Sequence, residues 1–137
     1  MTAARPAPPL HPLYRADQVR ELDRSTIAGG IKGFALMQRA SAAAWQRLRQ
    51  RWPEVRSLSV LCGAGNNGGD GHVLAALAAA EGLAVQRILL KGIDELAGDA
   101  RLAAEMATAA GVGAEPWAPG MAFTGELVVD ALLGTGL

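Results

Sequence analysis

The residues best suited to chemistry lie in one glycine-rich segment, residues 59–74, which reads SVLCGAGNNGGDGHVL. An apolar run leads into glycines, the amides Asn66 and Asn67 and the carboxylate Asp70, and an alanine-rich helical pattern follows. That order predicts a strand, a tight turn and a helix N-terminus, which is where α/β proteins bind phosphate groups. The glycines let backbone N–H groups face a ligand. We therefore predict that this turn binds a ligand or an ion.

Two more candidate residues stand at the ends of the next predicted strands. Lys91 follows the second strand, and Asp130 ends the third strand just before another glycine turn. Because the carboxyl ends of adjacent parallel strands face one crevice, we expect Lys91, Asp130 and the first glycine turn to converge. Lys91 near Asp130 would keep that carboxylate ionised, and a partly desolvated lysine could itself transfer protons. The amide and carboxylate oxygens of this set suit a hard cation, whereas no cysteine and histidine cluster has zinc spacing.

Two residues beside the first glycine turn, Cys62 and His72, are predicted to have structural and not chemical roles. Cys62 is the single cysteine, which excludes an internal disulfide and fits a reducing compartment. Its place in a predicted strand favours a small core residue over a nucleophile. His72 lies in the first turn after the glycines and could donate a hydrogen bond to a phosphate, but we predict a histidine on the helix surface.

The elements that would position these residues alternate between helices and strands. We predict helices over residues 17–28, with Asp17 as the cap, and over 34–51, 71–81 and 95–110, and strands over 57–62, 83–90 and 126–130. A loop with Pro116, Trp117 and Pro119 precedes the last strand. Strands that alternate with helices imply parallel pairing with right-handed crossovers. The predicted fold class is α/β with a parallel sheet. An open α/β sheet usually has more than three strands, so we expect the sheet of this chain to be incomplete.

The composition of the chain limits the classes of partner and the cellular compartment that we expect. The 137 residues amount to about one domain. Lysine plus arginine and aspartate plus glutamate number 13 each, so the chain has no general electrostatic reason to bind nucleic acid or anionic membranes. No apolar run reaches the roughly 18 residues of a membrane span. Residues 1–12 contain four prolines, lack the apolar centre of a signal peptide, and are predicted to form a flexible N-terminal segment of a cytoplasmic protein.

The first glycine turn also matches the dinucleotide fingerprint G-x-G-x-x-G over residues 63–68. A Rossmann oxidoreductase would place an acidic residue about 20 residues further on, at the end of the second strand. Here that strand ends in Leu89, Leu90 and Lys91, and the first acidic residue is Asp94. An ordinary NAD-dependent oxidoreductase is therefore a disfavoured alternative.

Taken together, the motifs resemble the NAD(P)H-hydrate epimerase family, also called the YjeF N-terminal domain. GAGNNGGDG at residues 63–71 and VVDALLGTGL at 128–137 carry the resemblance, supported by QVRELD at 18–23 and LMQRA at 36–40. The similarity covers residues 13–137, which the resemblance identifies as an epimerase-type domain cut short after its Gly-Thr-Gly-Leu motif. It implies a Rossmann-like three-layer αβα sandwich. It also implies a nucleotide-binding and metal-binding isomerase of metabolite repair, which interconverts the R and S forms of hydrated NADH and NADPH.

The resemblance also assigns roles to individual residues. It places substrate binding on Asn66, Asn67, Gly68, Gly69, Asp70, Gly134, Thr135, Gly136 and Leu137, a potassium ion on Asn67 and Asp130, and acid–base catalysis on Asp130 and Lys91. The implied functional partner is an ADP- or ATP-dependent NAD(P)H-hydrate dehydratase, which can be fused downstream. The resemblance leaves room for a homodimer.

The sequence departs from the family pattern in several places, and a non-catalytic module is an alternative to the enzyme. Gln38 and Ser41 replace a common glutamate and glycine, and Ala75-Ala76 stands where an alanine–arginine pair is common. A downstream segment of the Asp-Ile-Pro-Ser-Gly type is absent, so we expect the 137-residue polypeptide to be poorly active alone. The alternative is a non-catalytic ligand-binding or scaffold module, although the presence of Asn67, Asp70 and Asp130 favours the enzyme.

Overall fold

The computed structural model describes residues 11–30 and 32–133, and the chain divides into two compact units, residues 1–30 and 31–137. In the first unit, helix α1 spans Ala16–Ala28. The predicted cap Asp17 is wrong, because it lies inside the first turn and pairs with the Arg15 side chain at 3.1 Å. The backbone N–H of Arg15 instead donates to Gln18 Oε1 at 2.9 Å. The predicted boundary after residue 12 stays a prediction.

The second unit is an α/β domain with one parallel sheet. Its elements are α2 Gly33–Arg51, β1 Ser57–Cys62, α3 Asn66–Ala80, β2 Ala84–Leu89, a 3₁₀ turn Ile93–Glu95, α4 Gly98–Ala109, β3 Ala114–Pro116 and β4 Leu127–Ala131. The strand order is β3-β2-β1-β4, and every pair is parallel. In register, Cys62 lies between Leu89 and Ala131. The predicted α/β class with a parallel sheet is confirmed.

Side-chain alternation explains how the helices cover one face of the sheet. Leu58, Val60 and Cys62 are buried on the face of β1 that packs against α3. Helix α3 in turn contacts both α2 and α4. On α2 the buried residues recur at intervals of four, at Met37, Ser41 and Trp45. These contacts place α3 at the centre of the helical layer, directly on the sheet.

Polar side chains on the opposite face hold the connection that leads into β4. Gln86 Oε1 accepts hydrogen bonds from Ser59 Oγ at 2.6 Å and from the Thr124 backbone N–H at 2.9 Å. Ser59 Oγ also accepts from the Gly125 backbone N–H at 2.9 Å. A side chain on Gly125 would overlap the backbone of β1. The segment before β4 is thereby fixed against the sheet, and with it the end of β4 that carries Asp130.

Helix α3 begins at Asn66, five residues before the predicted start at Gly71, so residues 66–71 of the glycine-rich motif are helical and only residues 63–65 form the turn. Its glycines are needed for close packing. A Cβ on Gly68 would overlap the Gly63 carbonyl, and one on Gly71 would lie 2.7 Å from Ala131 Cβ. Neither glycine has a positive φ. Glycine lowers helix propensity, which is why the sequence pattern alone predicts a later start.

The predicted start of the fourth helix is wrong, and so is the prediction of a loop without a strand before the last strand. Helix α4 begins at Gly98, whose φ of +56° only glycine adopts readily, after the separate turn Ile93–Glu95. Strand β3 falls within the predicted loop and includes Pro116, which suits an edge strand because it needs no ladder N–H there. Within residues 11–30 and 32–133, no helix combines the length and apolar character needed to cross a bilayer.

Candidate functional site

A cavity of about 200 Å³ lies between α2, the first turns of α3 and β4. Its lining includes Ser41, Asn67, Asp70 and Asp130. Small and apolar residues complete the wall, namely Ala40, Ala44, Gly71, Leu74, Val129 and Ala131. The structure thus brings Asn67 and Asp70 of the first motif to the same cavity as Asp130 of the second.

Hydrogen bonds fix the turn after β4 beside the start of α3. Asn67 Nδ2 donates to the Leu133 carbonyl at 2.8 Å, which leaves the Asn67 amide oxygen as an acceptor. The Gly63 backbone N–H donates to the Ala131 carbonyl at 2.9 Å. Asp130 Oδ1 accepts from the Leu132 backbone N–H at 3.1 Å. The two motifs therefore hold each other in place, and Asp130 is exposed.

Ser41 is a cavity residue for which the sequence analysis assigned no role. Its side chain is buried, and its Oγ donates to the Met37 carbonyl at 2.8 Å and lies 3.3 Å from Asp70 Oδ1. The sequence contained a usable signal, because a serine stands in the middle of the otherwise apolar buried stripe of α2. We therefore add Ser41 to the candidate site residues.

The N-terminus of α3 has backbone N–H groups without an intrahelical partner next to the cavity. The first hydrogen bond between turns runs from Gly69 N–H to the Gly65 carbonyl at 3.0 Å, so the earlier amides of Asn66, Asn67 and Gly68 precede the helical ladder. These amides carry the positive end of the helix dipole and favour an anion. Asn66 is exposed there, and the space around the α-carbon of Gly65 is open.

Not every predicted site residue reaches the cavity. Gly68 and Gly69 are buried and pack against Gly63 and Met37, so they shape the helix start instead of lining the cavity. Gly134, Thr135, Gly136 and Leu137 lie outside the described residues, and their predicted binding role stays a prediction.

The expected proximity of Lys91 to Asp130 is wrong. Strand β1 lies between β2, which Lys91 follows, and β4, which carries Asp130. Two strand spacings separate them by about 10 Å across the sheet. Lys91 is exposed and does not line the cavity, and the ion pairs of residues 11–30 and 32–133 do not join it to Asp130. Its catalytic role remains an untested prediction.

The interpretations of Cys62 and His72 have opposite outcomes. Cys62 is buried in the core, and burial raises the pKa of its thiol to about 12, so the prediction of a structural cysteine is confirmed. The prediction of a surface His72 is wrong. His72 is buried on α3, and its Nδ1 lies 3.2 Å from Arg87 Nη1 of β2. Burial and, to a lesser extent, the Arg87 charge lower the pKa of His72 to about 4.

The cavity therefore combines acid–base groups with hydrogen-bonding groups. A carboxylate can accept or return a proton, and an amide and a hydroxyl can orient a polar ligand. The helix N-terminus alongside suits a phosphate.

Comparisons with known proteins agree on one family. The family model described as YjeF-related protein N-terminus matches residues 33–137. The chain is 46% identical over 125 residues to the bifunctional NAD(P)H-hydrate repair enzyme Nnr of Coxiella burnetii, covering 91% of the chain and 26% of that relative. It is 40% identical over 134 residues to the NAD(P)H-hydrate epimerase of Rhodobacter capsulatus, covering 91% of the chain and 63% of the relative. The epimerase of Rhodopirellula baltica is 35% identical over 130 residues, and the match covers 53% of its length.

Proposed function

Since the chain belongs to the family of YjeF-related protein N-terminal domains, we propose that it forms part of an NAD(P)H-hydrate epimerase, an isomerase of nicotinamide cofactor repair. The chain spans about a quarter of the bifunctional relative from Coxiella burnetii and about half to two thirds of the two epimerases. The observation that carries the proposal is that Asn67, Asp70 and Asp130, from two separate motifs, line one cavity. A ligand-binding scaffold would have no need for that acid–base set.

The proposed reaction interconverts the R and S forms of hydrated NADH and NADPH. The reacting carbon bears both the ring nitrogen and a hydroxyl, so it epimerises when the hydroxyl leaves and water returns to the opposite face. Asp130 is the proposed group that passes a proton to the leaving hydroxyl and takes one from the returning water. Asn67 and Asp70 would orient the nicotinamide end of the substrate through hydrogen bonds.

The size of the cavity indicates which part of the substrate it would take. Pockets that enclose a whole drug-sized ligand are usually about 300–1,000 Å³. A cavity of about 200 Å³ suits the hydrated ring and not the full dinucleotide. The phosphates would then lie outside it, at the exposed N-terminus of α3.

We also propose that Asn67 and Asp130 hold a potassium ion. The donor chemistry fits, because both residues line the same cavity and both side chains contain oxygen atoms, the ligands that hard cations prefer. Asn67 directs its amide nitrogen to Leu133 and so leaves its oxygen for a cation. Bound there, potassium would supply positive charge near the reacting ring. Titration with K⁺ against Na⁺, followed through the side-chain amide signal of Asn67, tests binding without an activity assay.

The proposed functional partner is a dehydratase that removes water from one epimer, so that epimerisation makes both forms repairable. Relatives whose names describe a bifunctional repair enzyme are consistent with such a partner on the same polypeptide. A homodimer and a cytoplasmic location remain predictions.

The central experiment supplies a mixture of NADHX epimers together with a dehydratase specific for one of them. The chain should raise the rate at which the second epimer is consumed above the spontaneous rate, with the Rhodobacter capsulatus epimerase as the positive control. Asp130→Asn should lower the enzymatic rate at least about 100-fold, because it removes the proposed proton-transfer group. Asp94→Asn, which alters an exposed carboxylate away from the cavity, is the matched control and should keep the original rate.

Binding of the substrate with no acceleration over the spontaneous rate would favour the non-catalytic module and contradict the enzyme. An unchanged rate in Asp130→Asn would contradict only the role of that residue.

A further inference from the structure

Arg87 is the largest fully buried side chain of the described residues, although it carries a charge. It extends from β2 toward α3 and α4 and makes four hydrogen bonds. Nη1 donates to His72 Nδ1 at 3.2 Å and to the Ala104 carbonyl at 2.9 Å. Nη2 donates to Thr108 Oγ1 at 3.0 Å and to the Val112 carbonyl at 2.9 Å. One guanidinium therefore joins four parts of the chain, namely β2, α3, α4 and the segment after α4.

Carbonyl, hydroxyl and imidazole acceptors surround the charge of Arg87 in place of a carboxylate, and its buried Nε has no hydrogen-bond partner among the described residues. No ion pair found in residues 11–30 and 32–133 includes Arg87. Its partners Ala104 and Thr108 lie in the second half of α4, where the helix dipole presents its negative end to a cation. Burying a charge is costly even when it is hydrogen-bonded, so an apolar residue of similar size would serve stability alone as well or better. This cost points to a role for Arg87 in geometry.

The interface between α3 and α4 explains why that geometry needs fixing. The buried residues of α4 are all alanines, at positions 100, 103, 104 and 107. On the α3 side, a Cβ on Gly69 would lie 3.3 Å from Ala100 Cα, so the two backbones approach closely. Small residues permit close approach but form shallow ridges, which interlock less than large side chains do. Directional hydrogen bonds from Arg87 can supply the register that this smooth interface lacks.

His72 transmits this constraint to the candidate site. Because Arg87 donates to Nδ1, the His72 ring must be neutral with its hydrogen on Nε2. His72 lies two residues after Asp70 and five after Asn67 on the same helix. A rotation or slide of α3 that broke the His72–Arg87 bond would move both cavity side chains.

We propose that Arg87 is a positioning residue, which fixes the register of α3 against α4 through His72 and thereby holds Asn67 and Asp70 at the cavity. Its link to catalysis rests on the proposed epimerase function, whereas its effect on α3 can be measured in the protein alone.

The test compares Arg87→Met with Arg101→Met, which removes an exposed arginine of α4 that pairs with Glu105 and Asp94. Imidazole nitrogen NMR should show one fixed neutral tautomer of His72 in the unaltered chain and in Arg101→Met, and a mixture of tautomers in Arg87→Met. Amide exchange at Asp70 and Gly71 should become at least about tenfold faster in Arg87→Met than in the control, while exchange in β1 changes less than about threefold. Where epimerase activity is measurable, kcat/KM should fall by a similar factor.

A second variant keeps the proposal testable if Arg87→Met does not fold. His72→Phe removes only the bond to α3 and leaves Arg87 its three other acceptors, so exchange should accelerate at Asp70 and Gly71 but not in α4. Unchanged exchange at these amides in a folded variant would overturn the proposal, and so would equal acceleration throughout the sheet, which indicates general destabilisation. Absence of epimerase activity in the unaltered chain would instead contradict the proposed function and leave these structural readouts decisive.

Discussion

At the scale of single residues, the contact between Ser41 and Asp70 depends on the position of one hydrogen atom, that of the Ser41 hydroxyl. The Ser41 hydroxyl has one hydrogen and faces two acceptors, the Met37 carbonyl at 2.8 Å and Asp70 Oδ1 at 3.3 Å. Donation to the carbonyl satisfies the helix, whereas donation to the carboxylate orients Asp70 in the cavity. If ligand binding favours donation to Asp70, the Ser41 hydroxyl can turn from the Met37 carbonyl to the carboxylate without any movement of the backbone.

Ser41→Ala should weaken the proposed substrate interaction without unfolding the domain. Loss of one hydrogen bond to a charged group typically costs about 1.5–3 kcal/mol, and the long 3.3 Å contact places the expected loss at the low end, about a tenfold decrease in kcat/KM. Steady-state epimerisation measures the loss, and Ser25→Ala on the exposed side of α1 serves as the control. An unchanged kcat/KM would show that the hydroxyl stays with the Met37 carbonyl.

At the scale of elements, the start of α3 is decided by how closely a helix can approach a sheet. Gly68 and Gly71 bring the helix backbone against Gly63 and β4, and this contact carries Asn67 and Asp70 to the cavity beside Asp130. Glycines that lower helix propensity are tolerated here because tertiary packing compensates for them. The glycine-rich motif thus positions its own polar residues.

The prediction at this scale contrasts two glycines three residues apart. Gly68→Ala should destabilise the protein by at least about 3 kcal/mol, because its Cβ would overlap the backbone carbonyl of Gly63, which cannot move as a side chain can. Gly65→Ala should cost less than about 1 kcal/mol, because its Cβ meets no atom within 4 Å and only the N-cap preference changes. Urea unfolding of both variants gives the comparison. Equal losses of free energy would contradict the packing role of Gly68.

At the scale of the whole molecule, buried His72 makes the stability depend on pH. The pKa of His72 is lowered to about 4 by burial and by Arg87, whereas a histidine in the unfolded chain keeps a pKa near 6.5. Between these values the unfolded chain binds a proton that the folded protein does not, so the free energy of unfolding falls as the pH is lowered. The contribution is fully present above pH 6.5, decreases toward pH 4, and totals up to about 3 kcal/mol.

Urea unfolding between pH 7.5 and 4.5 checks this expectation. His72→Phe should flatten the dependence of the unfolding free energy on pH, since it removes the group that titrates differently in the two states. His11→Phe is the matched control, because His11 is exposed and its replacement should keep the original slope. The same slope in all three proteins would exclude His72 as the source.

The sequence by itself determined the α/β class, the strand β1, the helix α2 and the two motifs that carry Asn67, Asp70 and Asp130. These follow from local rules, since apolar periodicity and glycine turns act over a few neighbouring residues. It did not predict β3, the early start of α3, the inward His72 or the role of Ser41. Those features depend on contacts between distant segments.

Only the tertiary structure decided which chemical groups meet. The sequence places Lys91 and Asp130 at the ends of strands that follow one another along the chain, but β1 lies between those strands and separates the two residues. It gives no sign that Arg87, within an ordinary strand pattern, would bind His72 and α4. Strand order and helix register are set by the packing of the whole domain, because each residue's partners lie far away along the chain. The residue types therefore indicate the chemistry, and the order of the strands selects the residues that can perform it together.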